Sequence, residues 1–497
     1  MTTEHFDVVI VGAGLSGIGA GYHLQTACPD RSYVILEGRE ASGGTWDLFR
    51  YPGIRSDSDM YTLGYAFKPW REAKAIADGP SILKYVRDTA AENGIDQHIR
   101  FGHQVKRVSW STEAAAWTVE AESGGRTVRF TCNFLFLCGG YYSYKGGFTP
   151  DFPGVDAFKG RLVHPQQWPA DLDYADKQVV VIGSGATAVT LVPAMARTAA
   201  HVTMLQRSPT YVVSRPAEDA FANRLRRWLP PMLAYQIVRW RNVLGGMYFF
   251  NMARKKPQLV KAQILKMVRA ELGEDYDVET HFTPAYNPWD QRLCLVPDSD
   301  LFRELKAGRA SVVTDQIETF TEAGIRLTSG AEIPADIIVS ATGLTLEVWN
   351  GVEVTVDGRK IEAGRTLGYK GMMYEGVPNL ATAFGYTNAS WTLKCDLTCE
   401  YVCRLLNHMT QTGQRQVTPV NATSEVGSEP WLDFSSGYVQ RAMASWPKQG
   451  AKAPWKLHQN YVMDLMSLRY AKLEDGTLRF SNPAKDRALE TTERLAA

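Results

Sequence analysis

Hydrophobic residues at two places in the chain follow the same order of predicted elements. Phe6 to Val11 form an apolar run typical of a buried parallel strand, and a glycine-rich turn and a helical pattern follow it. Gln178 to Ile182 form a second such run, with the same kind of turn and helical pattern behind it. A strand, a tight turn and a helix in this order begin a Rossmann-like unit. The pattern therefore predicts an α/β fold with two Rossmann-like domains.

The first turn has the spacing GxGxxG, with Gly12, Gly14 and Gly17. The first glycine permits the tight turn, the second lets a pyrophosphate approach the backbone, and the third lets the helix pack on the strand. The helix N-terminus offers free N–H groups to the phosphates. The next strand ends at Glu37, twenty residues after Gly17, where an acid can accept hydrogen bonds from a ribose diol. These features predict a dinucleotide site, and the alternative is a glycine-rich turn without a ligand.

The second turn has the spacing GxGxxA, with Gly183, Gly185 and Ala188. Its second strand ends without an acid and is followed by Arg207 and Ser208. An acid at this position would repel a 2′-phosphate, and its absence removes that repulsion. Arg207 can form charge-assisted hydrogen bonds to the 2′-phosphate. This pattern predicts that the second site binds NADPH. The alternative is that Arg207 is only a solvated surface residue. Two dinucleotide sites in one chain indicate electron transfer from NADPH to a flavin, so the first site is expected to hold FAD.

Later segments predict how the chain passes between the two domains. The apolar runs 134–140 and 336–343 are expected to be strands that end in small residues, and residues 377–391 run from strand to turn to helix. The first domain is therefore discontinuous. We expect an FAD-binding domain of residues 1–147 and 344–497, an NADPH-binding domain of residues 148–215 and 285–343, and a helical insertion of residues 216–284 in the NADPH domain.

The predicted insertion has an unusual charge. Residues 221–270 contain eleven Arg and Lys and no Asp or Glu. The ordinary interpretation is a solvated basic face over an apolar stripe that faces the core. The other is a surface that docks on anionic membranes. Apolar residues share a helical face in two stretches: Ile237, Trp240, Leu244 and Met247, then Val260, Ile264 and Met267. The aromatic residues that suit a membrane surface are Trp228, Trp240, Tyr248, Phe249 and Phe250.

Composition narrows the class of protein only a little. The chain has 497 residues, of which 45% are hydrophobic and 22% charged, and its net charge of +1 gives no general attraction to nucleic acid. Its seven cysteines include no CxxC pair, which favours a reducing compartment over a disulfide framework. The N-terminus lacks a signal pattern, and no apolar run reaches about 18 residues. These features predict a cytoplasmic protein, with membrane association through residues 221–270 as the open question.

Two further motifs carry a family resemblance. Residues 158–169 have the pattern FxGxxxHxxxWP, with Phe158, Gly160, His164 and Trp168. Residues 43–57 have the pattern GGxWxxxxYPGxxxD, which ends at Asp57. With both motifs the chain resembles the class B flavoprotein monooxygenases of the type I Baeyer–Villiger family. Flavin-containing monooxygenases usually carry Tyr or Phe and then a basic residue where Trp168 and its proline stand, so this detail favours the Baeyer–Villiger branch.

The resemblance implies an FAD- and NADPH-dependent reaction. One oxygen atom of O2 is inserted next to a ketone carbonyl to give an ester or lactone, and sulfides are oxidised to sulfoxides. The alternative is a flavin-containing monooxygenase that acts mainly on sulfur or nitrogen. The expected substrate is a small hydrophobic ketone or sulfide. The family relates the segment 158–169 to domain motion, and its His164 is not the chemical base.

The resemblance also assigns residues to roles. The catalytic arginine corresponds to Arg292 and its carboxylate partner to Asp57, since a permanently charged guanidinium can stabilise an anionic oxygen without protonating it. Relatives often carry Lys before this arginine, where the present chain has Gln291. Selectivity for the phosphate would then depend more on Arg207. Besides the first glycine loop, FAD contacts are expected from Ser16, Glu37, Thr45, Trp46, Asp47, Leu48, Asp57 and Val105. NADPH contacts are expected from Arg55, Ser56, Gly183, Ser184, Gly185, Ala186, Thr187, Ala188, Val189, Arg207 and Ser208.

Other classes fit the sequence less well. A disulfide reductase needs a redox cysteine pair near the flavin, and an N-hydroxylating monooxygenase lacks the Trp168 version of the linker. Cys395, Cys399 and Cys403 lie four residues apart, but one helical stripe cannot surround a metal ion, so they are expected to be core residues. A flavin-bearing sensor or binding protein would be excluded by steady NADPH consumption in response to ketones.

Overall fold

Two sheets organise the chain in the computed structural model, which describes residues 3–291, 293–422, 426–432 and 434–483. The larger sheet has nine strands in the order β18-β17-β4-β5-β6-β1-β2-β3, and β21 also pairs with β6. Strands and helices are numbered in chain order. Its strands are β1 (Glu4–Val11), β2 (Tyr33–Leu36), β3 (Ile99–Arg100), β4 (Gln104–Ser111), β5 (Ala116–Ser123), β6 (Arg126–Leu137), β17 (Glu353–Val356), β18 (Arg359–Lys360) and β21 (Leu380–Thr382).

The larger sheet combines two kinds of pairing. Strands β6, β1, β2 and β3 are parallel, and Val8, Val9 and Ile10 of β1 are fully buried because helices and strands cover both faces. Strands β4, β5 and β6 form an antiparallel meander in which alternate residues of β5 are buried. The chain returns to this sheet after residue 344 through β17 and β21.

The smaller sheet is parallel throughout, in the order β12-β9-β8-β16-β7. Its strands are β7 (Arg161–Val163), β8 (Gln178–Ile182), β9 (His201–Gln206), β12 (Ala310–Thr314) and β16 (Ile337–Ser340). A three-stranded antiparallel sheet flanks it, formed by β13 (Ile317–Thr321), β14 (Gly324–Leu327) and β15 (Glu332–Pro334).

Short strand pairs and helices complete the structure. The pairs are β10 (Val212–Arg215) with β11 (Cys294–Pro297), β19 (Gly368–Tyr369) with β20 (Met373–Tyr374), β22 (Gln416–Pro419) with β25 (Leu478–Ser481), and β23 (Glu429–Pro430) with β24 (Lys448–Gln449). The α-helices are α1 (Leu15–Ala27), α2 (Thr45–Leu48), α3 (Met60–Leu63), α4 (Gly79–Glu92), α5 (Ala186–Met195), α6 (Ala220–Leu225), α7 (Pro231–Lys255), α8 (Pro257–Leu272), α9 (Val278–Phe282), α10 (Asp300–Lys306), α11 (Trp391–Thr412), α12 (Gly437–Ala442) and α13 (Tyr461–Leu465).

The predicted fold class is confirmed. Each glycine turn joins a buried parallel strand to a helix, α1 in the first sheet and α5 in the second. Helices α6 to α9 form the helical insertion within the second Rossmann-like domain. No helix of the described residues is both long and apolar enough to cross a bilayer.

The insertion packs on both domains. Of the two apolar stripes expected to face the core, that of α8 does so and that of α7 is mostly exposed. In α8, Val260 and Ile264 are buried as expected. In α7, Ile237, Trp240 and Leu244 are exposed, whereas Met247 is partly buried against the core of the first domain.

Buried Arg239 accounts for the outward orientation of the α7 stripe. Its guanidinium donates to the carbonyl oxygens of Tyr61 and Gly64, at 2.9 and 2.7 Å. Its other nitrogen lies 3.6 Å from the carboxylate of Asp396. A buried charge must keep such partners, so the face of α7 that carries Arg239 is held against the first domain.

Candidate active site

The first glycine loop brings three backbone segments into close contact. Gly12 has a φ of +101°, and a Cβ atom there would lie 2.8 Å from the Cα atom of Gly139, just beyond β6. A Cβ atom on Gly17 would lie 1.9 Å from the carbonyl oxygen of Gly12. Only glycine allows backbone to approach this closely. Helix α1 starts directly after Gly14, so its free N–H groups lie at the loop.

One cavity of about 310 Å³ lies beside this loop. Its wall includes Val11 and Leu36, at the carboxyl ends of β1 and β2, and Cys138, just after β6. The second domain contributes residues of α5, among them Thr187, and Leu295 of β11. Ligands of open parallel sheets bind at the carboxyl ends of the strands. The cavity therefore lies where a ligand of the first domain can meet a ligand of the second.

The cavity wall contains about half of the residues assigned from the sequence. The assigned residues on the wall are Gly12, Gly14, Ser16, Glu37, Thr45, Trp46, Arg55, Ser56, Asp57, Val105, Ala186 and Thr187. Among the described residues, those assigned to FAD or NADPH that do not line the cavity are Gly17, Asp47, Leu48, Gly183, Ser184, Gly185, Ala188, Val189, Arg207 and Ser208.

Glu37 is buried at the end of β2 with both carboxylate oxygens engaged. One oxygen accepts a hydrogen bond from the backbone N–H of Ala13 at 2.7 Å, and the other from that of Arg39 at 2.9 Å. Burial raises the pKa of Glu37, although the backbone hydrogen bonds and the Arg39 charge oppose this effect. The carboxylate is thus fixed next to the first glycine loop, where it can still accept from a ligand hydroxyl with its remaining lone pairs.

Asp47 organises the turn around the GGTW motif. Its buried carboxylate lies 2.6 Å from the guanidinium of Arg39 and 2.8 Å from that of Arg87. These ion pairs join α2 to α4 and to the end of β2. Asp47 therefore supports the residues on the wall, such as Thr45 and Trp46, from behind.

Aromatic residues that sequence reasoning missed form much of the remaining wall. Trp391, the first residue of α11, donates its indole N–H to Ser16 Oγ at 2.9 Å and stacks on Tyr141 with 5.0 Å between ring centroids. Burial raises the pKa of Tyr144 to about 12, so its phenol stays protonated. The usable signal was the run of tyrosines directly after β6, where Rossmann-like domains bind their ligands. The Phe, Tyr and Trp residues of the wall to which sequence reasoning assigned no role are Phe49, Tyr51, Tyr141, Tyr142, Tyr144, Tyr386 and Trp391, of which only Tyr51 belongs to one of the two family motifs.

Arg55, assigned to NADPH, is held in an ion pair between the domains. Its guanidinium forms a two-pronged pair with the carboxylate of Asp300, at the start of α10. It also donates to the carbonyl oxygen of Val189 in α5 at 3.5 Å. Both charged side chains are largely buried. Arg55 thus connects the cavity wall to the second domain, and it borders the cavity at the same time.

The assigned catalytic pair is only partly described. Asp57 lies on the cavity wall, next to Ser56 and Ser58. Arg292 lies outside the described residues. Leu295, three residues further along the chain, lines the same cavity. The preceding turn is bound to its surroundings through Asp290, whose carboxylate pairs with Arg254 at 2.9 Å.

The second glycine loop is more open than the first. Gly183 has a φ of +129°, and a Cβ atom there would lie 2.5 Å from the carbonyl oxygen of Ala341. A Cβ atom on Gly185 would meet no described atom within 4 Å. Ser184 Oγ donates to the carbonyl oxygen of Ser208 at 3.1 Å, which links the loop to the end of β9. The side chain of Arg207 is exposed there.

The segment 158–169 ties together the two places where the chain crosses between domains. His164 Nδ1 accepts from the backbone N–H of Gln166 at 3.1 Å, so Nε2 carries the proton and donates to the carbonyl oxygen of Gly343 at 3.2 Å. The same carbonyl accepts from the N–H of Phe148 at 3.0 Å. Burial lowers the pKa of His164. The imidazole is therefore a neutral tether at the crossing.

The other residues of this segment have packing roles. Phe158 packs edge to face on Phe320 in the second domain, with 6.1 Å between ring centroids. A Cβ atom on Gly160 would lie 2.4 Å from the carbonyl oxygen of Asp336, so only glycine fits there. Trp168 is partly buried against the core of the second domain.

Comparisons with known proteins agree with this geometry. Residues 76–374 match the model of the flavin-binding monooxygenase-like family, and residues 10–75 match an NAD(P)-binding Rossmann-like domain. The chain is 56% identical over 480 residues to the FAD-containing monooxygenase EthA of Mycobacterium tuberculosis, which covers 96% of this chain and 98% of that protein. It is 53% identical over 480 residues to EthA of Mycolicibacterium smegmatis, with the same coverage.

Solved structures share the fold at low sequence identity. A steroid monooxygenase bound to NADP is similar with a TM-score of 0.76 and 23% identity, over 96% of this chain and 100% of that one. The open form of a cyclohexanone monooxygenase is similar with a TM-score of 0.74 and 21% identity, over 97% of this chain and 100% of that one.

Proposed function

The chain belongs to the flavin-binding monooxygenase-like family, and from this premise we propose that it is a Baeyer–Villiger monooxygenase. It is a flavin monooxygenase that uses FAD and NADPH. The finer assignment is oxygen insertion next to the carbonyl of a small hydrophobic ketone, with sulfoxidation of sulfides as a second activity. The observation that carries it is a cavity bordered by residues of both domains, with Asp57 on its wall.

The residues around the first loop fit FAD. Gly12 and Gly14 line the cavity without side chains, so a pyrophosphate can approach the backbone and the N-terminus of α1, and buried Glu37 is placed to accept from a ribose hydroxyl. Thr45, Trp46 and Val105 line the rest of the cavity. In this proposal Asp47 and Leu48 act from behind the wall.

The residues around the second loop fit NADPH. Its open glycine Gly185 and the exposed guanidinium of Arg207 suit a pyrophosphate and a 2′-phosphate. Thr187 borders both the loop and the cavity, so the nicotinamide ring of NADPH can reach the flavin. Arg55 and Ser56 would meet it from the first domain.

The domain limits follow the two sheets. We propose residues 1–147 and 344–497 for the FAD domain, because every strand of the nine-stranded sheet lies within 4–137 or 353–382. Residues 148–215 and 285–343 form the proposed NADPH domain, since its sheet lies within 161–340. The insertion of residues 216–284 contains α6 to α9.

The chemistry needs a fixed positive charge beside the flavin. When bound and reduced, the flavin supplies the electrons that activate O2. We assign Arg292 the role of stabilising the negative charge that develops on the transferred oxygen and on the substrate, because a guanidinium cannot give up its proton near neutral pH. Asp57 is the positioning residue for Arg292. The aromatic rings of the cavity wall give this step a largely apolar surrounding.

A product panel tests the proposed function. The holoenzyme is given NADPH, isotopically labelled O2 and, in separate reactions, a cyclic ketone, an aryl ketone and an aryl methyl sulfide. Mass spectrometry should find one labelled oxygen in an ester or lactone from at least one ketone. If only the sulfide is oxidised, the enzyme acts on heteroatoms, and that alternative replaces the proposal.

Arg292 provides the residue-level test. Loss of a preorganised charge stabiliser costs about 3–4 kcal/mol in the transition state, roughly a hundred- to a thousand-fold in rate. Arg292→Ala should therefore keep FAD but form almost no ester per flavin reduced, while Arg292→Lys recovers only part because the planar fork is lost. If the ratio of ester to reduced flavin stays at the wild-type value in Arg292→Ala, the catalytic centre is elsewhere.

A further inference from the structure

The outer face of α7 exposes a continuous apolar stripe. Leu233, Ile237, Trp240, Leu244 and Tyr248 recur every three or four residues, and their side chains are between 38% and 68% exposed. They lie on one helical face over about 22 Å, at 1.5 Å per residue. A helix on a globular protein normally turns such a stripe inward. Here the face that is turned inward carries Tyr235, Val238 and Arg239.

The apolar surface continues onto the first domain. The ring of Trp240 contacts that of Tyr461 at the start of α13, with 5.6 Å between centroids. Met463, Met466 and Tyr470, in the turns that follow, are all exposed. We name these eight residues with exposed side chains, five on α7 and three on residues 463–470, the α7 patch. A contiguous apolar surface of this kind marks an interaction site on a soluble protein.

Basic side chains stand at both ends of the stripe. Arg224 and Arg227 precede α7, and Lys255 and Lys256 end it; all four are exposed, and among the described residues no carboxylate pairs with them. Three other arginines of the insertion are neutralised: Arg241 by Asp219, Arg254 by Asp290 and Arg269 by Glu279. Positive charges without a carboxylate partner among the described residues therefore stand at both ends of the apolar stripe.

We propose that the α7 patch docks the protein on anionic lipid membranes, independently of the function proposed for the active site. The apolar stripe would enter the boundary between head groups and acyl chains, and the four basic side chains would meet lipid phosphates. Trp240 and Tyr248 suit this boundary because each has an apolar ring and a polar tip. A protein partner would have to supply an acidic rim around an apolar groove, whereas an anionic bilayer presents both chemistries at every point.

Vesicle flotation tests the proposal with the full holoenzyme. Vesicles of equal parts phosphatidylcholine and phosphatidylglycerol are compared with vesicles of phosphatidylcholine alone, at low and high salt. The enzyme should float with the anionic vesicles at low salt, bind the neutral ones much less, and lose affinity as salt screens the charges. Absence of flotation with anionic vesicles at low salt overturns the proposal.

Two variants separate the apolar and the charged contributions. The double substitution Ile237→Ser and Leu244→Ser should lower the partition coefficient by at least about tenfold, because two large side chains no longer leave water. Lys255→Glu with Lys256→Glu should lower it by more than about tenfold, since each basic residue near an anionic surface contributes about fivefold. Neither pair lies in the active site, so flavin content and NADPH oxidation without lipid should stay at the wild-type values.

Matched controls decide between docking and general stickiness. Phe101 is an exposed apolar residue outside the α7 patch, and Phe101→Ser should leave vesicle binding unchanged. Sedimentation without lipid shows whether the stripe joins two copies of the chain instead. If Ile237→Ser and Leu244→Ser dissolve a dimer and leave vesicle binding intact, the patch is a self-association surface and the proposal is wrong.

Discussion

The two glycine loops have the same local design in opposite surroundings. In the first loop, a Cβ atom on Gly12 or Gly14 would approach other backbone at 2.8 or 3.4 Å, and almost every residue around it is buried. In the second loop, Gly185 is open, and Arg207 beside it is exposed. The same phosphate-binding turn can thus serve an enclosed ligand, which is retained, or an exposed one, which can exchange with each turnover.

The third position of each motif shows how the difference arises. Gly17 packs so closely that a methyl group would overlap the carbonyl oxygen of Gly12. Ala188 occupies the equivalent position of the second loop and is fully buried there. Helix α1 therefore approaches its strand more closely than α5 does. We expect substitutions in the first loop to affect folding and FAD retention, and those in the second to affect NADPH turnover.

Gly17→Ala should have the largest effect. The added methyl group would lie 1.9 Å from a backbone oxygen that cannot move without shifting the loop. Overpacking typically costs about 1–3 kcal/mol, and the displaced loop should no longer retain FAD. Flavin absorbance after gel filtration and the melting temperature measure this. The matched control Ala188→Gly should keep FAD and lose only about 1 kcal/mol of helix propensity. A Gly17→Ala protein with full flavin content would remove the distinction between the loops.

Arg207→Ala should affect the second site alone. A charge-assisted pair with the 2′-phosphate is worth about 1.5–3 kcal/mol, roughly ten- to a hundred-fold at about 1.4 kcal/mol per decade. The Michaelis constant for NADPH should rise by this factor, while that for NADH barely changes. Steady-state kinetics with both nucleotides measures it. An equal loss for NADPH and NADH would show that Arg207 is structural.

Glu37→Gln should weaken the first site by a somewhat smaller amount. An amide offers one acceptor oxygen, so either the N–H of Ala13 or that of Arg39 loses its partner. An unpaired buried donor costs about 1–3 kcal/mol. FAD titration of the apoprotein should show weaker binding, with the Michaelis constant for NADPH unchanged. Unaltered FAD affinity would mean that Glu37 does not contact the nucleotide.

His164 should give the smallest effect, which is a dependence of the folding stability on pH. Its folded-state pKa lies below the ordinary 6.5 because the ring is buried. The unfolded chain therefore binds a proton first, and stability should fall as the pH drops below 6.5 toward the folded-state pKa. His164→Gln should remove this part of the pH dependence. Melting temperatures from about pH 8 to about pH 5 measure it. Parallel curves for wild type and variant would show that the His164 tether does not titrate.

The sequence by itself determined the two Rossmann-like domains and much of the cavity wall. Gly12, Gly14 and Glu37 could be found because a phosphate-binding turn needs its glycines and its acid at fixed spacings within one unit. The helical insertion could also be found, because helical periodicity is a local property of the sequence. The GGTW motif placed Thr45 and Trp46 on the wall.

The tertiary structure decided which side chains meet. The sequence assigns Asp47 to the flavin, but only the tertiary structure shows that its carboxylate pairs with Arg39 and Arg87. Trp391 reaches Ser16 from 375 positions away, a distance at which no spacing rule operates. The α7 stripe has ordinary helical spacing, but buried Arg239 turns it outward. Spacing along a chain sets backbone geometry and the existence of an apolar face, whereas the partner of that face depends on contacts between distant segments.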